Sequence, residues 1–256
     1  MSSPIGKTVS IGALSSGAGL ALLSALLFGA STPLAKLLLG GIDPWMLAGL
    51  LYLGSGLGLL AVKTLVRVLG SGTRSEAAIR GGGWLWLALA TLSGGVIGPV
   101  LLMAGLAHTA ATTAALLLNL EGVLTALLAW FAFRENFDRR IALGMASIVA
   151  GGFVLTWGGS LTLSAVLGPL MIAGACFAWA VDNNLTRKVS QADPVQIALL
   201  KGCVAGVVNV GIAFALGSVL PPLGALGAAV VVGFAGYGVS LVLFVVALRH
   251  IGTART

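Results

Sequence analysis

The chain has 256 residues, of which 58% are apolar and only 8% are charged, and its mean hydropathy is +1.08. Ordinary globular domains are about half apolar and about a quarter charged, so this composition excludes a water-soluble fold. The 14 Lys and Arg outnumber the 7 Asp and Glu, but they are spread along the chain and form no basic face of the kind that binds nucleic acid. The sequence therefore predicts an all-α integral membrane protein whose surroundings are a lipid bilayer.

Eight apolar segments are each long enough to cross a membrane as a helix. A hydrocarbon core of about 30 Å needs roughly 20 apolar residues, because every backbone polar group must be hydrogen-bonded within the segment. The predicted spans are residues 17–40, 44–66, 84–107, 110–133, 140–157, 163–186, 194–218 and 223–248.

The cations indicate how these spans are oriented. Twelve of the fourteen Lys and Arg lie in the N-terminal segment, in or near the even-numbered connections, or after the last span, and the remaining two are Lys36 and Lys201. Cytoplasmic connections are enriched in Lys and Arg. We therefore expect a cytoplasmic N-terminus in a multi-pass protein of a cell membrane, with the bacterial inner membrane as the expected location.

Two parts of the sequence resemble each other. Asp43-Pro44 and Asp193-Pro194 lie 150 residues apart, and the stretches 93–98 and 235–240, which precede His108 and His250, correspond at an offset of 142. Spans 1 to 3 thus correspond to spans 6 to 8. Because five spans separate the copies, they cross the membrane in opposite senses, which is typical of secondary transporters with a substrate site at the repeat interface.

Two stretches carry a family resemblance. One is residues 124–130, followed by Arg134-Glu135 and a Gly-rich segment; the other is residues 28–33 (Phe-Gly-Ala-Ser-Thr-Pro) in the first span. In their order these motifs resemble the EamA-type repeat of the drug/metabolite transporter superfamily. The resemblance implies an inverted repeat of five plus five helices. Residues 1–158 would then be the first repeat, and residues 159–256 an incomplete second repeat lacking two helices.

The resemblance also implies a function. It suggests a secondary active transporter that moves amino acids, related metabolites or organic cations by alternating access, with protons as a candidate coupling ion and a monomer or homodimer as the working unit. Two alternatives stay open. The chain is a truncated, non-transporting membrane protein if the two helices are absent, or it is a channel, which the inverted repeat disfavours.

Glu121 is the sharpest candidate for a functional residue. It lies near the middle of the fourth span, where an ionised carboxylate is costly unless it is solvated or paired. We expect it to bind a proton or a cationic substrate, although a structural, hydrogen-bonded Glu is the alternative. Asn119 is close in sequence but two positions away, so it shares no helix face with Glu121 unless Gly122 loosens the helix.

Other polar residues within spans extend this list. Asp182 and Lys201 lie at matching depths in consecutive antiparallel helices, so a buried ion pair between them is reasonable, with Asn183 enlarging the polar patch. The pair would bind an anion or an amino-acid headgroup or act as an inner gate, or it would be only a structural pair. Asn209 is another amide deep within a span, and Trp179 and Tyr237 are candidates for the aromatic wall of a cavity, with core packing as the alternative for Trp179.

Catalysis is not expected. The sequence has no HExxH or GxSxG motif, and its two histidines, His108 and His250, are predicted to lie at opposite faces of the membrane. The two cysteines, Cys176 and Cys203, form no metal-binding pattern. We therefore predict neither a metal site nor a cofactor.

Overall fold

The computed structural model consists of helices packed side by side. It describes residues 11–69, 77–132, 142–147 and 163–253, together with Arg139 and Ala150. Within these residues every regular element is helical, and seven helices are long and apolar enough to cross a membrane. The predicted all-α membrane fold is therefore confirmed. The predicted span 140–157 lies largely outside the described residues, although residues 142–147 are helical.

The bounds of the seven long helices agree with the hydropathy pattern to within a few residues, except that α1 begins several residues earlier than predicted. The helices are α1 Ile11–Leu38, α2 Pro44–Val68, α3 Gly83–Ala107, α4 Ala111–Phe131, α5 Leu163–Arg187, α6 Pro194–Ala215 and α7 Leu223–Ile251.

Three of these helices are interrupted. A π-helical segment occupies Thr91–Ile97 in α3, and another occupies Phe234–Val239 in α7. In α4 the helix ends at Leu117 and resumes at Leu120. A π turn widens the helix and redirects its backbone carbonyls, and such turns are frequent at functional sites.

The helices pack in pairs that cross between the two halves of the chain. α2 packs along α6, α1 packs on α7, and α3 packs on α5. The contact of α2 with α6 depends on glycine, because a Cβ on Gly202 would overlap the backbone of Gly56. Small residues of this kind let two membrane helices approach closely.

Two helices begin with the same cap. Asp43 Oδ1 accepts hydrogen bonds from the backbone nitrogens of Trp45 (3.0 Å) and Met46 (3.2 Å), and Asp193 Oδ1 accepts one from Val195 N (2.9 Å). A proline follows each aspartate at the first helical position, where it needs no hydrogen-bond donor. The paired Asp-Pro sequences therefore have the same structural role.

One end of the bundle is held together by cations. Lys63, near the end of α2, lies 3.3 Å from Asp193, and Arg249, near the end of α7, donates to the carbonyl oxygens of Ser190 and Ala192 at 2.8 Å each. We call this the basic end of the bundle, after Lys63 and Arg249. These bonds connect α2 and α7 to the turn between α5 and α6.

At the opposite end of the bundle, a lysine connects two other helices. Lys36 Nζ donates to the carbonyl oxygens of Leu106 and Ala107, the latter at 3.4 Å. These carbonyls are in the last turn of α3, where the helix no longer supplies its regular donors four residues further on. The lysine therefore joins the end of α1 to the end of α3.

Candidate functional site

A cavity of about 600 Å³ lies in the middle of the bundle. Six of the seven long helices line it, all except α3. On α1 the lining residues run from Ala21 to Thr32 and stop before Lys36, at the end opposite the basic end. On α7 the lining continues past the end of the helix to Thr253, at the basic end. The cavity therefore extends from the middle of the bundle toward the basic end.

Glu121 faces this cavity from α4. Its Oε1 accepts a hydrogen bond from Asn183 Nδ2 on α5 at 2.9 Å, and the same amide nitrogen donates to Thr125 Oγ1 at 3.2 Å. Thr125 lies four residues after Glu121, on the same helix face. The amide of Asn183 thereby bridges two side chains of α4, which fixes the position of the carboxyl group.

Asp182 and Lys201 form the predicted ion pair. Lys201 Nζ lies 2.5 and 2.6 Å from the two carboxylate oxygens of Asp182, and its side chain is only 1% exposed. Thr186 adds a second partner, since it donates to Asp182 and lies 3.2 Å from Lys201 Nζ. Two charges buried this deeply are tolerated because each is paired and hydrogen-bonded.

The interruption of α4 positions Asn119. Leu118 and Asn119 form the turn between its two helical parts, and Asn119 Nδ2 donates to the carbonyl oxygens of Ala115 (3.3 Å) and Leu116 (3.0 Å). Both Asn119 and Glu121 line the cavity. The break that allows this is at residues 118–119, not at Gly122 as the sequence suggested.

Trp179 and Tyr237 lie in one group of aromatic rings along the cavity. Phe28 packs edge to face on Trp179 at 5.3 Å and on Tyr237 at 5.5 Å, and Tyr52 packs on Tyr237 at 5.3 Å. All four rings line the cavity. Their edge-to-face arrangement is a favourable geometry for aromatic pairs.

Asn209 differs from the other predicted site residues in its position. It is fully buried in α6, its Nδ2 donates to the carbonyl oxygen of Gly95 at 2.9 Å, and it is not among the residues that line the cavity. The amide joins α6 to the π segment of α3. In this arrangement Asn209 supports the helix contact and does not face a ligand.

The π segment of α3 packs against side chains of the site without lining the cavity itself. The carbonyl oxygen of Gly94 accepts hydrogen bonds from Tyr52 OH (2.6 Å) and Trp179 Nε1 (2.8 Å). Gly94 also packs directly against Asp182, and a Cβ at this position would overlap the carboxylate. α3 does not line the cavity, but it contacts Tyr52, Trp179 and Asp182, which do.

Sequence reasoning did not single out several contributors to the site. Thr125 and Thr186 each lie four residues after an acidic residue in a helix, a spacing that places both side chains on one face and was a usable signal. Phe28 was noticed only as part of a motif. Nothing in the sequence distinguished Tyr52 from an aromatic residue of the core.

Known proteins resemble this chain in sequence and in fold. Residues 15–157 match the EamA-like transporter family. An uncharacterized transporter of Methanothermobacter thermautotrophicus (strain Delta H) is 31% identical over 241 residues, which cover 90% of this chain and 70% of the relative. One solved structure, described only as the crystal structure of a protein, shares the fold with a TM-score of 0.68 at 18% identity, over 92% of this chain and 80% of that one. The chain therefore belongs to the EamA-like transporter family, a family of membrane transporters.

Proposed function

We propose that the protein is a secondary active transporter that moves small metabolites across the bacterial inner membrane by alternating access. The observation that carries this proposal is the central cavity, in which polar groups from both predicted repeats meet. Its volume of about 600 Å³ is in the range of small-molecule sites, about 300–1,000 Å³. Glu121 and Thr125 come from the first predicted repeat, and Asp182, Asn183 and Lys201 come from the second.

The packing of the helices supports the predicted division into residues 1–158 and 159–256. If spans 1 to 3 correspond to spans 6 to 8, then α1, α2 and α3 correspond to α5, α6 and α7. The contact of α1 with α7 then has the contact of α3 with α5 as its counterpart, and α2 with α6 is its own counterpart. The two π segments also lie at corresponding positions. Such symmetry is what an inverted-repeat transporter requires.

Glu121 is the proposed coupling residue. Its carboxyl group lies in a cavity within the membrane-spanning bundle, where binding a proton removes a charge that is costly to keep in a membrane. Its hydrogen-bond partner Asn183 directly follows Asp182 in the chain, so α5 connects the two acidic groups. We propose that a proton bound at Glu121 drives transport, with the basic end on the cytoplasmic side and a monomer or homodimer as the working unit.

The test is a flux assay in proteoliposomes. The chain is reconstituted, a panel of amino acids, organic amines and other metabolites is screened with and without a pH gradient, and Glu121→Gln is compared with wild type. We expect gradient-driven flux in wild type, and a loss of its proton dependence in the variant, because the amide keeps the hydrogen bond to Asn183 but cannot exchange a proton.

Asp43→Asn is the matched control. It also changes one carboxylate to an amide, but at an exposed helix cap where asparagine is equally suitable. It should transport like wild type. Proton-dependent flux that persists in Glu121→Gln would contradict the coupling role, and the absence of protein-dependent flux for the whole panel would contradict the transporter proposal itself.

A further inference from the structure

The only cation among the described residues that line the cavity is occupied. An ammonium group has three N–H donors, and Lys201 Nζ has three acceptors at hydrogen-bonding distance: both oxygens of Asp182 and Thr186 Oγ1. Its side chain is 1% exposed. Lys201 therefore has no donor left for an anionic group of a ligand.

The amide donors along the cavity are occupied as well. Asn119 Nδ2 donates to two carbonyls of its own helix, and Asn183 Nδ2 donates to Glu121 and to Thr125. Each side-chain amide has only two N–H donors. What these residues offer to a ligand is thus their oxygen atoms.

Glu121 also has acceptor capacity left. One of its oxygens, Oε1, binds Asn183, and within the described part of the chain no hydrogen bond reaches Oε2. With Asp182 paired to Lys201, an ionised Glu121 leaves the described lining with one net negative charge. The polar part of the cavity is therefore rich in acceptors and attracts a positive group.

The apolar part of the cavity is the wall formed by Phe28, Tyr52, Trp179 and Tyr237. The polar atoms of Tyr52 and Trp179 are both bonded to the carbonyl of Gly94, so these rings leave their carbon atoms to face a ligand. Phe28, which is partly exposed, joins this wall through its contacts with Trp179 and Tyr237. Aromatic faces also attract organic cations directly.

We infer that the transported substrates are small organic ammonium ions with an apolar group, and that the cavity discriminates against amino acids carrying the same apolar group. The ammonium group donates to the free oxygen of Glu121 and to the amide oxygens of Asn119 and Asn183, while the apolar group lies on the aromatic wall. An amino acid adds a carboxylate for which the described lining has neither a free cation nor a free amide donor, only neutral hydroxyl groups such as those of Thr32 and Thr253. This inference rests on the proposed function and names its substrate class.

Two compounds that differ only in a carboxylate test the inference. Binding of 2-phenylethylamine and of phenylalanine to the purified full chain in lipid nanodiscs is measured by titration calorimetry at neutral pH. We expect 2-phenylethylamine to bind at least about tenfold more tightly, because burying an unpaired carboxylate costs more than the about 1.4 kcal/mol that a factor of ten represents. Glu121→Gln should weaken amine binding by at least a similar factor, whereas Asp43→Asn should leave it unchanged.

The controls separate binding from folding and from transport. Glu121→Asp keeps the charge and should retain measurable preference for the amine, and thermal unfolding shows whether each variant is folded. Equal or tighter binding of phenylalanine, unaltered amine binding in folded Glu121→Gln, or no binding of either compound would overturn the inference. Since binding needs no turnover, selective binding without flux would contradict the transporter proposal alone, and flux with a preference for phenylalanine would contradict the substrate class alone.

Discussion

Asp182 and Lys201 form the buried ion pair of the site. Both side chains are almost fully buried, and each is the main partner of the other. Removing one member of a buried pair leaves an uncompensated charge, whereas replacing both members can be nearly neutral. The stability of the protein should therefore respond very differently to single and double substitutions here.

We predict that Lys201→Met lowers the free energy of unfolding by about 3 to 5 kcal/mol, because Asp182 loses its countercharge. The double variant Asp182→Asn with Lys201→Met should recover most of this loss. Unfolding in detergent at increasing concentrations of sodium dodecyl sulfate, followed by circular dichroism, measures both. Equal destabilisation in the single and double variants would show that the pair contributes packing and not charge compensation.

Gly94 is a second residue whose identity the structure explains. A side chain there would overlap the carboxylate of Asp182, which is itself held by Lys201 and Thr186. We predict that Gly94→Ala destabilises the protein by about 1 to 3 kcal/mol, the usual cost of overpacking a rigid contact. Thermal unfolding in detergent checks this.

Gly227→Ala is the control for that substitution. It also lies in a helix, in α7, but an added methyl group there meets nothing within 4 Å. Its effect should be neutral or stabilising by up to about 1 kcal/mol, since alanine favours a helix more than glycine does. If both alanines behave alike, the close contact of Gly94 with Asp182 has no energetic consequence.

At the scale of single helices, Asp193 combines two roles at the start of α6. It caps the helix through Val195 N and lies 3.3 Å from Lys63, and this ion pair is partly exposed. We predict that Asp193→Ala costs about 1 kcal/mol for the lost cap, while Asp193→Asn, which can still cap, costs at most about 1 kcal/mol for the weakened surface ion pair and in most cases less. Chemical unfolding in detergent distinguishes them, and a larger cost for Asn than for Ala would contradict the capping role.

The helices themselves could be predicted from the sequence, but their interruptions could not. Apolar length decides whether a segment spans a membrane, so seven predicted spans have helical counterparts. The π segments in α3 and α7 depend on partners that arrive from elsewhere in the chain, such as Tyr52 and Trp179 at the carbonyl of Gly94. The ion pair of Asp182 with Lys201 was predictable because both depths could be counted from neighbouring helix ends. Of the aromatic wall, the sequence analysis named Trp179 and Tyr237 but not Phe28 and Tyr52, since the four rings come from four different helices and nothing in the sequence brings them together.

At the scale of the whole molecule, the two predicted repeats are packed unequally. Gly54 and Gly58 of α2 touch α7 so closely that a Cβ on either would overlap Val230 or Phe234. At the offsets of 150 and 142, the counterparts of these four residues are Val204, Val208, Ala88 and Leu92. All four counterparts line a crevice of about 270 Å³ between α3 and α6.

If the proposed alternating access holds, this inequality gives a direction of movement. In an inverted-repeat transporter the two halves exchange conformations during the cycle, so a contact that is closed in one repeat is expected to open while its counterpart closes. Here the contact of α2 with α7 is closed, and the crevice between α3 and α6 is open. The cavity extends toward the basic end, which fits one of the two end states of alternating access.

We therefore predict that Val208→Phe, which places a larger side chain in the crevice, blocks transport without unfolding the protein. The crevice has room for a phenyl ring in the present state, but closing it would cost about 1 to 3 kcal/mol of overpacking, enough to reduce flux about tenfold or more.

Binding of 2-phenylethylamine should persist, because Val208 does not line the central cavity. Val207→Phe on the same helix is the matched control, since Val207 is 63% exposed and is not among the residues that line the crevice. Proteoliposome flux and calorimetric binding are measured on both, and full flux in Val208→Phe, or equal loss in Val207→Phe, would show that the crevice takes no part in the transport cycle.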